Sequence, residues 1–259
     1  MLNRFFPRYP ASRLQVLGIA ILLIFSMTLT SCAPEPSSTN GGDIDPELEA
    51  QVLQIIRENP EVIIESVEAY QKQERTSGQQ EFFEAMKANP QSVIGDSPTT
   101  GAIDAKIVLL EFSDFQCPFC AKAQGTLKKF LEVHKDKVTL AFKHLPLSRI
   151  HPEAIPAAQA AWAAQQQGKF WEYHNALFAQ QDRLGEDLYL AIARDLNLNL
   201  EQFNQDRESE AAIAALESDI QMARTIGVSG TPFFVMNGEP LSGAVDISEF
   251  EKTLAKVSK

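Results

Sequence analysis

Residues 106–124, KIVLLEFSDFQCPFCAKAQ, constrain the fold more than any other stretch. KIVLLEF (106–112) is a short, continuous apolar run, the pattern of a strand buried on both faces. Within a few residues the chain turns into a helix, because Pro118 suits the first helical position, where its missing N–H is no loss. That puts Cys117 at the N-cap and Cys120 in the first turn, on the same side. Only an architecture with a strand feeding directly into a helix, and two thiols at the helix mouth, satisfies this stretch.

A thiolate at Cys117 faces unpaired backbone N–H groups and the positive end of the helix dipole, and both favour the anion. Its ionisation is therefore expected below the ~8.5 of a free cysteine. A low-pKa sulfur leaves easily from a disulfide, so the pair reads as an oxidant. Cys120, one turn in and after Phe119, is expected to be the buried, resolving thiol. Two other readings compete. A structural disulfide across two residues would gain little, because loop-closure entropy grows with loop length. A zinc or copper site would need partners. There is no second C-x-x-C, and His134, His144, His151 and His174 lack ligand spacing.

Elsewhere the order is legible in outline. KVTLAFKHLPL (137–147) reads as a second strand, and a long helical stretch occupies about 152–226. PFFVMNGEPLSGA (232–244) reads as two strands around Asn237-Gly238, a hairpin turn signal. DISEFEKTLAKV closes the chain as a helix, with Ser248 and Glu251 at capping-box spacing. Strand and helix alternating around an active loop indicate an α/β domain with a central sheet over 92–259. Before it, Asp45-Pro46 and Asn59-Pro60 each open a short amphipathic helix, giving a helical extension over 46–91. That extension either packs on the main domain or pairs between two chains. Thr231-Pro232 precedes an apolar strand, where proline marks either a plain strand start at an edge or a cis bond.

The first 31 residues hold Arg4, Arg8 and Arg13, no acid, and an apolar run from Leu14 to about Thr30. This is a secretory-type signal peptide. It ends in Leu29-Thr30-Ser31-Cys32, which resembles a bacterial lipobox, so Cys32 is the expected lipidation site. An uncleaved anchor is one rival, since the run barely reaches the ~17–25 residues that spanning requires. Cleavage after Ala33 is another, disfavoured by Pro34 after the cut. All three place the folded part outside the cytoplasm, anchored to or exported across a bacterial membrane. Residues 32–45 are rich in Pro, Ser and Gly and read as a flexible tether reaching about 20 Å. Net charge is −11, leaving −14 beyond residue 31 once three arginines are set aside. Such a surface repels phosphate backbones, so nucleic acid is not an expected partner.

EFSDFQCPFC, the strand before it and Gly230-Thr231-Pro232-Phe233-Phe234 together resemble the DsbA-type thiol:disulfide oxidoreductases of the thioredoxin superfamily. The likeness covers about residues 92–259. Pro232 lies 112 positions after Cys120, which leaves room for the helical domain such proteins insert in a thioredoxin-like fold with a central mixed β-sheet. The resemblance implies that Pro232 is cis and packs against the disulfide, and that Thr231 pairs its backbone with an extended substrate. It also implies a buried acid beneath the site, matched by Glu111, relaying protons to Cys120. No metal or cofactor is expected. The implied partners are unfolded or extended exported proteins, with a membrane-embedded redox partner that re-oxidises the pair. Well-known members carry histidine at the position of Phe119. Without that cation, and with Asp114 nearby, a smaller lowering at Cys117 and an oxidant milder than ~−120 mV are expected. Disulfide formation is the leading reading. A reductase or isomerase of the same fold is the first rival, and a non-catalytic, chaperone-like binding lipoprotein the second.

Overall fold

The computed structural model describes residues 45–102 and 104–259. The expected signal peptide, the expected lipidation site Cys32 and all of the expected tether except Asp45 lie outside the described residues. The chain divides into two units between Arg57 and Glu58. Of the first, the described part is essentially the helix α1 (Pro46–Glu58), with Asp45 Oδ1 accepting from Glu47 N at 2.9 Å at its start. None of its residues is buried. No described helix is long and apolar enough to cross a membrane.

The second unit opens with α2 (Pro60–Ala88), at 29 residues much longer than the short helix expected from PEVIIESVEAYQKQE. Its two parts behave differently. Residues 60–77 are exposed throughout, including Val62, Ile63, Ile64, Val67 and Tyr70. From Gly78 onward the helix belongs to the domain. Gln79 Nε2 donates to Ile226 O at 2.7 Å, and Met86 is fully buried with Val108, Leu110 and Val235. Half-buried Phe82 and Phe83 pack against the same cluster as Met86.

Among the described residues, five strands form one mixed sheet in the order β1-β3-β2-β4-β5: β1 (Thr99–Gly101), β2 (Ile107–Ser113), β3 (Val138–His144), β4 (Phe233–Met236) and β5 (Glu239–Ser242). Only β2 and β3 run parallel, joined by α3 (Pro118–His134). β2 and β3 are buried at every position, which accounts for their apolar runs. β1 was not legible, being three exposed residues at an edge. Asn237 (φ 45°) and Gly238 (φ 85°) make the β4–β5 turn in the left-handed region that a two-residue hairpin needs. A Cβ on Gly238 would sit 2.8 Å from Lys87 Cγ, so the turn packs closely on α2.

Alternation along β2 creates two faces. Ile107 and Leu109 pack with Ala123, Leu127 and Phe130 of α3 and with Phe250 of α9 (Ile247–Val257). Val108, Leu110 and Phe112 pack with α2 and with α8 (Glu210–Thr225). Asp246, not Ser248, occupies the N-cap of α9, and Glu251 instead meets His134 Nε2 at 2.8 Å. The stretch between β3 and β4 is helical: α4 (Ala154–Gln166), α5 (Phe170–Ala179), α6 (Glu186–Asp195), α7 (Leu200–Arg207) and α8. Seven buried alanines on α4 let its neighbours approach closely. This insert has its own core, and Phe142 of β3 and Phe115 of the loop after β2 enter it, stacked at 5.4 Å.

Candidate active site

The loop between β2 and α3 is built around Asp114. Its Oδ1 accepts from Gln116 N at 2.8 Å, and its Oδ2 from Leu147 N at 2.9 Å and His151 Nδ1 at 2.7 Å. Its carbonyl accepts from Cys117 N at 3.1 Å. The carboxylate is thus committed to shaping the loop through Gln116, Leu147 and His151.

Cys117 is the N-cap of α3, extended at φ −74°, ψ 120°, with Pro118 next. Both cysteines are free. Cys117 keeps 4% exposure and Cys120 none, while Phe119 between them is 62% exposed. The Cys117 thiol is pushed down to about 5, chiefly because Cys120 donates to its anion. Burial opposes the shift, while Thr231 and the N–H groups of Cys120 and Phe119 add to it. This lies between the ~7 of thioredoxin and the ~3.5 of DsbA. Cys120 moves the other way, raised first by burial and then by its hydrogen bond to Cys117. The two sulfurs therefore hold different protonation states at neutral pH, Cys117 as thiolate and Cys120 as thiol.

The Thr231–Pro232 peptide is cis and immediately precedes β4. As a thiol, Cys117 Sγ donates to Thr231 O at 3.4 Å. Thr231 N–H has no partner among the described residues. The Thr231 hydroxyl is buried without a well-formed hydrogen bond, yet close enough to favour the anion at either sulfur.

Glu111 lies beneath the pair, fully buried on β2. Desolvation pushes its carboxyl up to about 7, against the opposing effects of Ser113 and Gln124. Gln124 Nε2 donates to Oε1 at 2.8 Å, and Oε2 has no partner. The hydroxyl of Ser113 has no well-formed bond but is near enough to favour the anions of both Glu111 and Cys120. Gln124 also lines an open cavity of about 890 Å³ between α3 and α5, beside Trp171 and His174. Ser113 is thus the group that Glu111 and the buried Cys120 thiol have in common.

The structure thus brings Cys117, Cys120, Thr231, Pro232 and Glu111 together. Among the described residues no group of three or more His, Cys, Asp or Glu could hold a metal ion. His144 and His174 are buried among Phe115, Phe142 and Phe170. Three neighbours escaped sequence reasoning. Ser113 and Gln124 lie in the motif and the helix after it, but only the pleat and the helical turn show that they face Glu111. Gln181, in the insert, donates from Nε2 to Phe115 O at 2.7 Å and to Cys117 O at 2.9 Å, and no local pattern announces it.

Comparison with known proteins agrees with this geometry. A thioredoxin-like oxidoreductase from Silicibacter pomeroyi is 28% identical, with a TM-score of 0.60 over 66% of this chain and 98% of that one. Proteus mirabilis ScsC in a transitional conformation is 26% identical, with a TM-score of 0.59 over 82% of this chain and 95% of that one. Among curated proteins, the Na(+)/H(+) antiporter NhaA 3 of Salinispora tropica is 37% identical over 147 residues, 57% of this chain but 22% of that protein. The chain spans only about a quarter of the length of the antiporters it matches. The model of the DSBA-like thioredoxin domain matches residues 108–255, more than half of the chain. The protein belongs to the DsbA-like family of thioredoxin-fold domains.

Proposed function

We propose that this protein is an extracytoplasmic thiol:disulfide oxidoreductase that forms disulfides in exported proteins. The observation that carries the reading is the ionisable asymmetry of the pair. Cys117 is a comfortable anion at a helix mouth, while Cys120 is buried and held neutral. In the oxidised protein, a substrate thiolate attacks Cys117 Sγ and breaks the Cys117–Cys120 bond. Cys120 leaves with the bonding electrons and takes a proton, for which Glu111, sharing Ser113 with it, is the proposed donor. A second substrate thiolate then attacks the substrate sulfur of the mixed disulfide, and Cys117 departs as a thiolate. Two electrons pass from substrate to the pair, and the substrate gains one disulfide. A low-pKa leaving sulfur favours this direction.

The unpaired N–H of Thr231 beside Pro232 supports pairing with an extended segment of an unfolded polypeptide. A membrane-embedded redox partner accepts the two electrons and restores the disulfide. The N-terminal signal, with lipid on Cys32, would hold the enzyme at the membrane outside the cytoplasm. Thiol trapping in cells tests the direction: a pair found mostly oxidised supports the oxidase, and a mostly reduced pair points to a reductase or isomerase. A Cys117→Ser variant that still oxidised reduced ribonuclease would sink the assignment of the reacting sulfur.

A further inference from the structure

Gln181 opens the short 3-10 turn Gln181–Arg183 between α5 and α6, and it reaches a loop 64 positions away. Its single amide nitrogen donates to Phe115 O at 2.7 Å and to Cys117 O at 2.9 Å. An amide NH₂ carries two hydrogens, so both bonds form together. Cys117 O is also the first acceptor of α3, taking Cys120 N at 3.1 Å and Ala121 N at 3.2 Å. The amide therefore pins the peptide oxygens on either side of Gln116. Among the described residues no other side chain donates to those two oxygens. The insert's second tie, Glu153 N to Gln116 Oε1 at 2.7 Å, grips a side chain and leaves the Cys117 backbone untouched.

We propose that Gln181 is a positioning residue for thiol exchange, holding Cys117 in the extended conformation (φ −74°, ψ 120°) that caps α3 and sets its sulfur against Thr231 O. The inference rests on the reading of Cys117 as the reacting sulfur. It makes the helical insert more than a cover: the way α5 and α6 dock on the loop sets how comfortable the anion is. Leucine at 181 fills similar volume but donates nothing. Glutamate keeps the shape and sets a negative oxygen against two carbonyls.

The test uses the reduced full chain, with iodoacetamide alkylation read at Cys117 by peptide mass across pH, and with equilibration against glutathione. The variants are Gln181→Leu, Gln181→Glu and the control Gln180→Leu, whose Oε1 meets only Arg183. Losing the two bonds should leave Gln181→Leu with about tenfold less thiolate below the inflection. Its glutathione equilibrium should move about tenfold towards the disulfide, or about 30 mV more reducing. Gln181→Glu should move further the same way and carries the test if the leucine variant misfolds, while Gln180→Leu should match wild type. Wild-type inflection near 5 with unchanged Gln181 variants, whatever their melting temperature, overturns the positioning role alone. So does a control that shifts as far as they do. Wild type ionising like a free cysteine overturns both this role and the reading of Cys117.

Discussion

The sulfur of Cys117 lies 3.4 Å from the carbonyl oxygen of Thr231, although 114 positions separate them in the chain. Two structural facts produce that contact. β4 pairs antiparallel with β2, aligning Phe233 with Phe112, so the residues before β4 meet the loop that leaves β2. The cis Thr231–Pro232 peptide then presents Thr231's backbone to the helix mouth. The thiol and the strand edge proposed to receive substrate are thus parts of one surface. The chemistry beneath that surface leads to several measurable consequences.

Glu111 should show itself in both stability and rate. Its carboxyl ionises near 4.5 when unfolded and near 7 when folded. Stability is therefore full below pH 4.5 and is lost as pH rises towards 7, because only the unfolded chain releases the proton in that window. Glu111→Gln should be more stable than wild type at pH 8 by on the order of 2–3 kcal/mol in urea titrations. It should also slow the dithiol–disulfide cycle at pH 7 by at least about tenfold. A less stable variant with unchanged turnover would remove the proton-exchange role.

Acid should weaken the fold through His144 and His174. Burial lowers the first to about 3 and the second to about 4, and for His144 the charges of His174 and Lys143 push the same way. Below pH 6.5 the unfolded chain binds protons that the folded chain refuses, so stability falls as pH drops. Each histidine contributes about 1.4 kcal/mol per pH unit until its folded pKa is reached. The urea midpoint of a His144→Phe, His174→Phe chain should fall less between pH 7 and pH 4.5 than that of wild type. Equal falls would contradict the assignment.

The two parts of α2 should separate cleanly in a truncation series. Residues 60–77 bury nothing, so a chain starting at Gly78 should keep its melting temperature within about 2 °C. Met86→Ala, by contrast, empties a fully buried position and should cost about 2–5 kcal/mol. A large loss from the truncation would mean that the exposed segment supports the domain.

Cys32 should decide membrane attachment. In a bacterial host, Cys32→Ser should release the protein from the membrane fraction and remove a lipid-sized mass from its N-terminal peptide. Retention of the variant at the membrane would favour the uncleaved anchor.

Features set by neighbouring residues were legible in the sequence: the N-cap at Cys117, the buried strand before it, the Asn237-Gly238 turn and the helical character of 152–226. The resemblance carried the buried acid and the cis peptide. What escaped depends on contacts between distant segments. Asp114 looked like a charge beside a thiol, until Leu147 and His151 took up its oxygen. Ser248 had capping spacing, yet the chain enters α9 two residues earlier, at Asp246. β1 is too short and polar to show a period, and its place comes only from pairing with β3. The last turns of α2 lie beyond the short helix read from PEVIIESVEAYQKQE, and there Met86 faces the sheet.

The most direct measurement is the capture of the mixed disulfide. A Cys120→Ser chain mixed with a peptide carrying an activated disulfide should accumulate a one-to-one adduct through Cys117, seen by peptide mass. Its formation rate should level off below the ~8.5 of a free cysteine, because the serine hydroxyl can donate to the anion in place of Cys120. An adduct on any other residue, no adduct, or a rate that climbs steadily through pH 8 would contradict a poised thiolate at the mouth of α3.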